Sequence, residues 1–266
     1  MEEQNVKQCC ATFYGSDFAR ILLGDSFHPG GTRLTGRLGD LLALTRDSHV
    51  LDVASGRGTS AFHLAEFFGC SVTGVDLSQE NVRLATDEAD RRGLGGLVNF
   101  QLGDAERLPF GDENFDAIIC ECAFCTFPSK MVAAREFVRV LKPGGQLGLS
   151  DLTRPERPMP ELEGLLSSIA CIGGALPVER YTTIFQEAGL EVENVEDHRD
   201  ALLELAHQIQ ARLLGAEIMA GLKKIDLAGA DFTSGKQFAR AALHAIHNGV
   251  LSYAVFSARK PRIPSR

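Results

Sequence analysis

The sequence predicts an α/β protein built on a doubly wound, mostly parallel sheet. Three observations carry this expectation. Apolar runs of strand length alternate with segments of helical periodicity from residue 49 to residue 151, and that alternation builds parallel sheets with helices on both faces. The first apolar run, His49-Val50-Leu51-Asp52-Val53-Ala54, ends in Ser55-Gly56-Arg57-Gly58-Thr59 and opens directly into Phe62-His63-Leu64-Ala65-Glu66-Phe67, which reads as strand, glycine turn and helix. The second strand, Ser71-Val72-Thr73-Gly74-Val75-Asp76, ends in an acid 20 residues after Gly56. Right-handed crossovers then gather all the parallel strand ends at one edge, where ligands collect.

The elements follow in order. Residues 8–23 carry apolar residues at helical spacing, and Gly24-Asp25-Ser26-Phe27-His28-Pro29-Gly30-Gly31 breaks that pattern. Thr32 to Leu44 reads as a helix because Leu34, Leu38, Leu41 and Leu42 recur at three- and four-residue steps. Strands are expected at 49–54, 71–76, 97–102, 115–121 and 145–151, with helices at 59–68, 79–92 and 130–141 between them. Arg154-Pro155-Glu156-Arg157-Pro158-Met159-Pro160 is too proline-rich for a helix interior. Glu161 to Ile172 reads as a helix ended by Gly173-Gly174, and Val178 to Ala188 as another capped by Gly189. A sixth strand is expected at 190–196, mostly helical chain at 200–248, and a last strand at 250–256.

With 266 residues, the chain is long enough for one large domain with an insertion, and no internal repeat is visible. No apolar run approaches the roughly 20 residues of a membrane span, and the acidic, polar start is not a signal peptide. A cytoplasmic protein without a membrane partner is expected. A net charge of −8 with no compensating basic cluster disfavours nucleic acid, and the absence of Trp removes base-stacking platforms. The seven cysteines are odd in number, so free thiols rather than a disulfide framework are expected.

The glycine turn followed by an acid is a nucleotide-type cofactor site. Gly56 and Gly58 let the backbone approach a ligand that a Cβ would block, and Asp76 is placed to accept ribose hydroxyls. The later landmarks narrow the cofactor. Gly103-Asp104-Ala105 ends the third strand, Leu108-Pro109-Phe110 and Asn114-Phe115-Asp116 precede the fourth, and Arg139-Val140-Leu141-Lys142-Pro143-Gly144-Gly145 leads into the fifth. This order resembles the class I S-adenosylmethionine-dependent methyltransferases, most clearly over residues 48–152. The resemblance implies a Rossmann-like sheet of seven strands in the order 3-2-1-4-5-7-6, with the last strand antiparallel and 200–248 as a helical cap inserted before it. It implies S-adenosyl-L-methionine as cofactor. The methionine part would lie on Asp52, Ala54, Ser55, Gly56, Gly58 and Thr59, the ribose on Asp76 and Leu77, the adenine beside Asp104 and Ala105, and the transferred methyl near Cys120.

A narrower resemblance concerns thiols. Ile119-Cys120-Glu121-Cys122, followed by Pro128-Ser129-Lys130, and later Cys171-Ile172-Gly173-Gly174-Ala175-Leu176, are similar to two short motifs of the arsenite methyltransferases. On that resemblance Cys122 and Cys171 would hold trivalent arsenic, with Cys120 or Cys125 as the next candidate and Cys9 or Cys10 as a further one. A reductant thiol would then be a partner. Arsenic is soft and prefers thiolates, and its free lone pair could attack a methyl group without a general base. The chain departs from the motif at Cys125, where asparagine is usual, and at Ser55 and Arg57, where many of those enzymes carry an extra cysteine. The alternative acceptor is a small organic molecule of the quinone, sterol or natural-product type, with the cysteines only packing; a non-catalytic binding protein is a third reading. A zinc site at Cys120-x-Cys122-x-x-Cys125 has an unusual spacing. His28 is a possible base for an oxygen or carbon acid, Glu121 could steer a cationic cofactor, Tyr14 could close over it, and His244 and His247 read as ordinary helix residues.

Overall fold

The computed structural model describes residues 28–164, 166–167, 170–221 and 231–262. The expected helix at 8–23 and the residues Cys9, Cys10, Tyr14 and Phe27 lie outside them. Helix α1 (Gly31–Leu41) buries Leu34 and Leu38, one turn apart. Strand β1 (His49–Val53) and strand β2 (Ser71–Asp76) are buried along almost their whole lengths, as strands covered on both faces must be. Helix α2 (Thr59–Phe68) joins them. Helix α3 (Gln79–Arg92) starts at Ser78, whose hydroxyl accepts the Asn81 amide, and ends at Gly93 with φ 70°. Strand β3 (Val98–Leu102), strand β4 (Phe115–Glu121), helix α4 (Lys130–Val140) and strand β5 (Leu141–Thr153) complete the parallel half. Helix α5 (Val178–Ala188) and strand β6 (Glu191–Asp197) follow, then helices α6 (Arg199–Gly221) and α7 (Phe232–His247), and strand β7 (Ser252–Arg259).

The seven strands lie in the order β3-β2-β1-β4-β5-β7-β6. β7 runs antiparallel to both β5 and β6, and the other pairs are parallel. The order reverses between β1 and β4, so the crevice of a doubly wound sheet opens between their C-terminal ends. One core cluster, including Ile118, Cys120, Phe124, Phe137, Tyr181 and Phe256, fills one side of the sheet. A second joins Leu34 and Leu38 of α1 to Cys125, Leu152, Cys171, Ile172, Leu202 of α6 and Ile246 of α7. The inserted helices therefore pack along the same side as α1.

Two expected elements differ. The helix read to Leu44 stops at Leu41, because Ala43 turns into the left-handed region at φ 48°. The helix read over Glu161 to Ile172 is not continuous. A 3-10 turn covers Pro160–Leu162, Glu163 is extended and Gly164 takes φ 86°, while Leu166 and Ser167 are helical.

Candidate active site

The glycine turn leaves β1 through left-handed backbone at Ala54 (φ 60°), Gly56 (φ 54°) and Gly58 (φ 84°). Asp76, at the end of β2, braces it. One carboxylate oxygen accepts the Gly56 amide at 2.9 Å, and the other accepts the Ser78 amide at 2.8 Å and Asn81 Nδ2 at 3.2 Å. Burial raises the Asp76 pKa against these donors. At Gly58 the missing Cβ has a reason other than ligand approach: a Cβ there would stand 2.5 Å from Phe100 Cζ and 3.0 Å from Phe62 Cε2, so this glycine serves packing. Ser55 Oγ sits against Gly74 of β2, 2.8 Å from where a Cβ on that glycine would stand.

Asp52 of β1 lies beneath the turn, 2 % exposed. The Ala61 amide donates to it, while Oδ2 has no hydrogen-bond partner among the described residues. Burial first, then the neighbouring Glu121 and Asp76, push its carboxyl well above the usual carboxylate range. Glu121, at the end of β4, accepts Ser60 Oγ at 2.6 Å and Thr35 Oγ1 at 2.9 Å. Three carboxylates thus converge on one crevice, and one keeps an open buried oxygen. A cationic ligand relieves that cost, and the sulfonium and ammonium groups of S-adenosylmethionine fit this donor set. Beyond Asp76 the side chains of Leu77 and Leu102 remain 40 % and 54 % exposed, an apolar rim beside Asp104 and Ala105 where an adenine can lie. Asp104 Oδ1 caps the Glu106 amide at 2.9 Å, and Thr59 begins α2.

The cysteines divide. β4 ends at Glu121, and Cys122 takes φ 53°, so Cys120 and Cys122 do not share a face. Cys120 is fully buried in the first core cluster, not in the one that holds Cys125 and Cys171. Cys122, Cys125 and Cys171 do meet. The Cys122 and Cys125 thiols each hydrogen-bond that of Cys171, whose sulfur also reaches Cys122 O at 3.4 Å. Gly174 explains the second motif: a Cβ there would stand 2.1 Å from Cys125 O, so the two loops dock through this glycine. The hydrogen bond to Cys171 and then burial push the Cys122 thiol well above its usual range; for Cys125, burial leads. Among the described residues no three His, Cys, Asp or Glu side chains are placed to hold a metal ion.

Nothing in the sequence pointed to the partners of Glu121. Thr35, Ser60 and Ser150 come from α1, α2 and β5, and single hydroxyls scattered over 116 positions leave no motif.

The fold and this crevice define a class I S-adenosylmethionine-dependent methyltransferase, and comparison with known proteins agrees. The family model described as a methyltransferase domain matches residues 51–149. The 27-O-demethylrifamycin SV methyltransferase of Amycolatopsis mediterranei is 30 % identical over 234 residues, covering 86 % of this chain and 84 % of that protein. The ubiquinone/menaquinone biosynthesis C-methyltransferase UbiE of Azotobacter vinelandii is 31 % identical over 58 % of this chain and 62 % of its own. Among solved structures, the [4+2]-cyclase SpnF superposes with a TM-score of 0.77 at 25 % identity, covering 98 % of this chain and 97 % of that one. A Haemonchus contortus phosphoethanolamine N-methyltransferase solved with S-adenosylhomocysteine gives 0.77 at 18 % identity, covering 98 % and 58 %. The chain belongs to the S-adenosylmethionine-dependent methyltransferases, and S-adenosylmethionine is its cofactor. None of these likenesses is to an arsenite methyltransferase, so the narrower resemblance drawn from the two cysteine motifs is not shared by them. Among the described residues no helix is long and apolar enough to cross a membrane.

Proposed function

We propose that the methyl acceptor is a small, largely apolar organic molecule of the natural-product or quinone type. The observation that carries this reading is the likeness to methyltransferases of organic small molecules, such as the 27-O-demethylrifamycin SV methyltransferase at 30 % identity over 86 % of this chain. An apolar cluster of Leu34 from α1, Leu202 from α6 and Ile172, with Cys122, Leu203 and Phe238 partly buried against it, joins the inserted helices to the thiol loops. Relatives named as O- and C-methyltransferases of such molecules support it. Bound S-adenosylmethionine supplies an electrophilic methyl group on a sulfonium that becomes a neutral thioether. The chain's part is to hold and orient. Asp76 and Leu77 take the ribose, Asp104 and Ala105 flank the adenine, and Asp52, Ala54, Ser55, Gly56 and Thr59 hold the methionine end. The inserted helices α6 and α7 cap the acceptor and exclude water, with positioning worth up to about 7–11 kcal/mol for well-placed reactants.

The meeting of Cys122, Cys125 and Cys171 favours a second reading, in which these thiols hold trivalent arsenic. Chelation by two or three thiols would supply the affinity. The raised pKa values of Cys122 and Cys125 oppose it, because the thiolate is the ligand. The two readings separate in one assay. Methyl-labelled cofactor is offered with arsenite or with a panel of apolar phenols, enols and amines. The organic reading expects label on a carbon, oxygen or nitrogen acceptor, retained in Cys122→Ser and Cys171→Ser. Label on arsenic alone, lost in both variants, would replace it with the thiol reading.

A further inference from the structure

His28 is the first described residue of the chain, and it bridges both walls of the crevice. Its Nε2 lies 3.4 Å from Ser60 Oγ, in the first turn after the glycine loop, and 3.6 Å from Glu121 Oε2, at the end of β4. The residue is 7 % exposed. Nδ1 lies 3.2 Å from Pro29 O, a contact that needs the proton on Nδ1 and leaves a lone pair on Nε2. The hydrogens nearby are already committed. Ser60 donates to Glu121 at 2.6 Å and Thr35 donates to the same carboxylate oxygen at 2.9 Å. On its other oxygen Glu121 lies 3.4 Å from Ser150 Oγ, which itself accepts the Tyr253 hydroxyl at 2.9 Å. Among the described residues, then, Nε2 meets two oxygens and no donor. A proton arriving at Nε2 is received by both.

We propose that His28, backed by Glu121, is the proton acceptor of this enzyme, and that the organic acceptor is attacked through a hydroxyl. This rests on the organic-acceptor reading above. The acceptor O–H bond breaks, its proton passes to Nε2, and the oxygen keeps the electron pair that bonds the incoming methyl carbon. Glu121 then balances the imidazolium. A pair of this kind suits an oxygen nucleophile, whose proton must leave, whereas a tertiary amine or a thiol-held metalloid has none to give. Among the described residues the carboxylate facing the ring is Glu121, with Asp52 and then Asp76 beyond it.

The placement has a consequence that needs no acceptor. S-adenosylmethionine and S-adenosylhomocysteine differ by the sulfonium charge, and a cation arriving beside the pair disfavours a proton on His28. Proton release on binding is measured by titration calorimetry of the chain at several pH values, in buffers of different ionisation heat. The expected result is that S-adenosylmethionine releases up to about one proton more than S-adenosylhomocysteine, and that His28→Gln abolishes the difference. Equal release by the two ligands in the wild type overturns the proposal without relying on any variant. A difference that survives in His28→Gln gives the proton to a carboxyl, Glu121 or Asp52, and overturns the role of His28. Failure of the organic-acceptor reading shows separately, as arsenic-only methylation in the labelling assay while the proton coupling persists.

Discussion

Asp151 sits at the acceptor end of β5 with no exposure, taking the Cys125 and Leu152 amides at 2.7 and 2.8 Å. Burial, and after it the nearby Cys171, push its pKa up to about 7. The unfolded chain loses that proton near about 3.9, so the native state binds more protons across the interval. Its contribution to stability is whole below about pH 4 and is lost as pH rises to about 7. Denaturation midpoints of wild type and Asp151→Asn across this range should show the wild type losing stability with pH more steeply than the variant; parallel curves would contradict the assignment. Cys120 offers a second check. Replacing its thiol with a hydroxyl in the core cluster should cost about 1–3 kcal/mol of stability and leave cofactor affinity unchanged. At this scale the sequence was legible where spacing is local. Gly56 and Asp76 announce each other across 20 residues. The hydroxyls on Glu121 stayed hidden, because their meeting is a product of the sheet order.

The elements follow from alternation and caps: Ser78 starts a helix, and Gly93 and Gly189 end helices, as their residue types favour. The segment at 161–172 is helical at Leu166 and Ser167 but does not form one helix from Glu161, because Gly164 interrupts it at φ 86°. The left-handed turn at Cys122 ends β4, so the two-residue spacing of Cys120 and Cys122 does not put them on one strand face. Gly58→Ala tests the glycine turn as an element. The new Cβ meets Phe100 at 2.5 Å in a backbone of φ 84°, so a loss of about 1–3 kcal/mol of stability is expected, together with weaker cofactor binding. Thermal unfolding and calorimetry read both, and unchanged values would mean that the turn relaxes freely.

Across the whole molecule, the strand order and the antiparallel last strand came from the family resemblance rather than from periodicity. The described residues of the insertion between β6 and β7 form α6 and α7, which share an apolar cluster with α1 and the thiol loops. As a cap, this layer should exchange its amide hydrogens more slowly when cofactor and acceptor are both bound; equal exchange in free and bound protein would make it a fixed structural layer. The carboxylate-lined crevice between β1 and β4 is expected to hold the cofactor, with Asp76 as its anchor. Titration calorimetry of S-adenosylhomocysteine against wild type and Asp76→Ala tests it most directly. Loss of the charged hydrogen bonds should weaken binding by about 1.5–3 kcal/mol, and affinity equal to the wild type's would place the cofactor elsewhere.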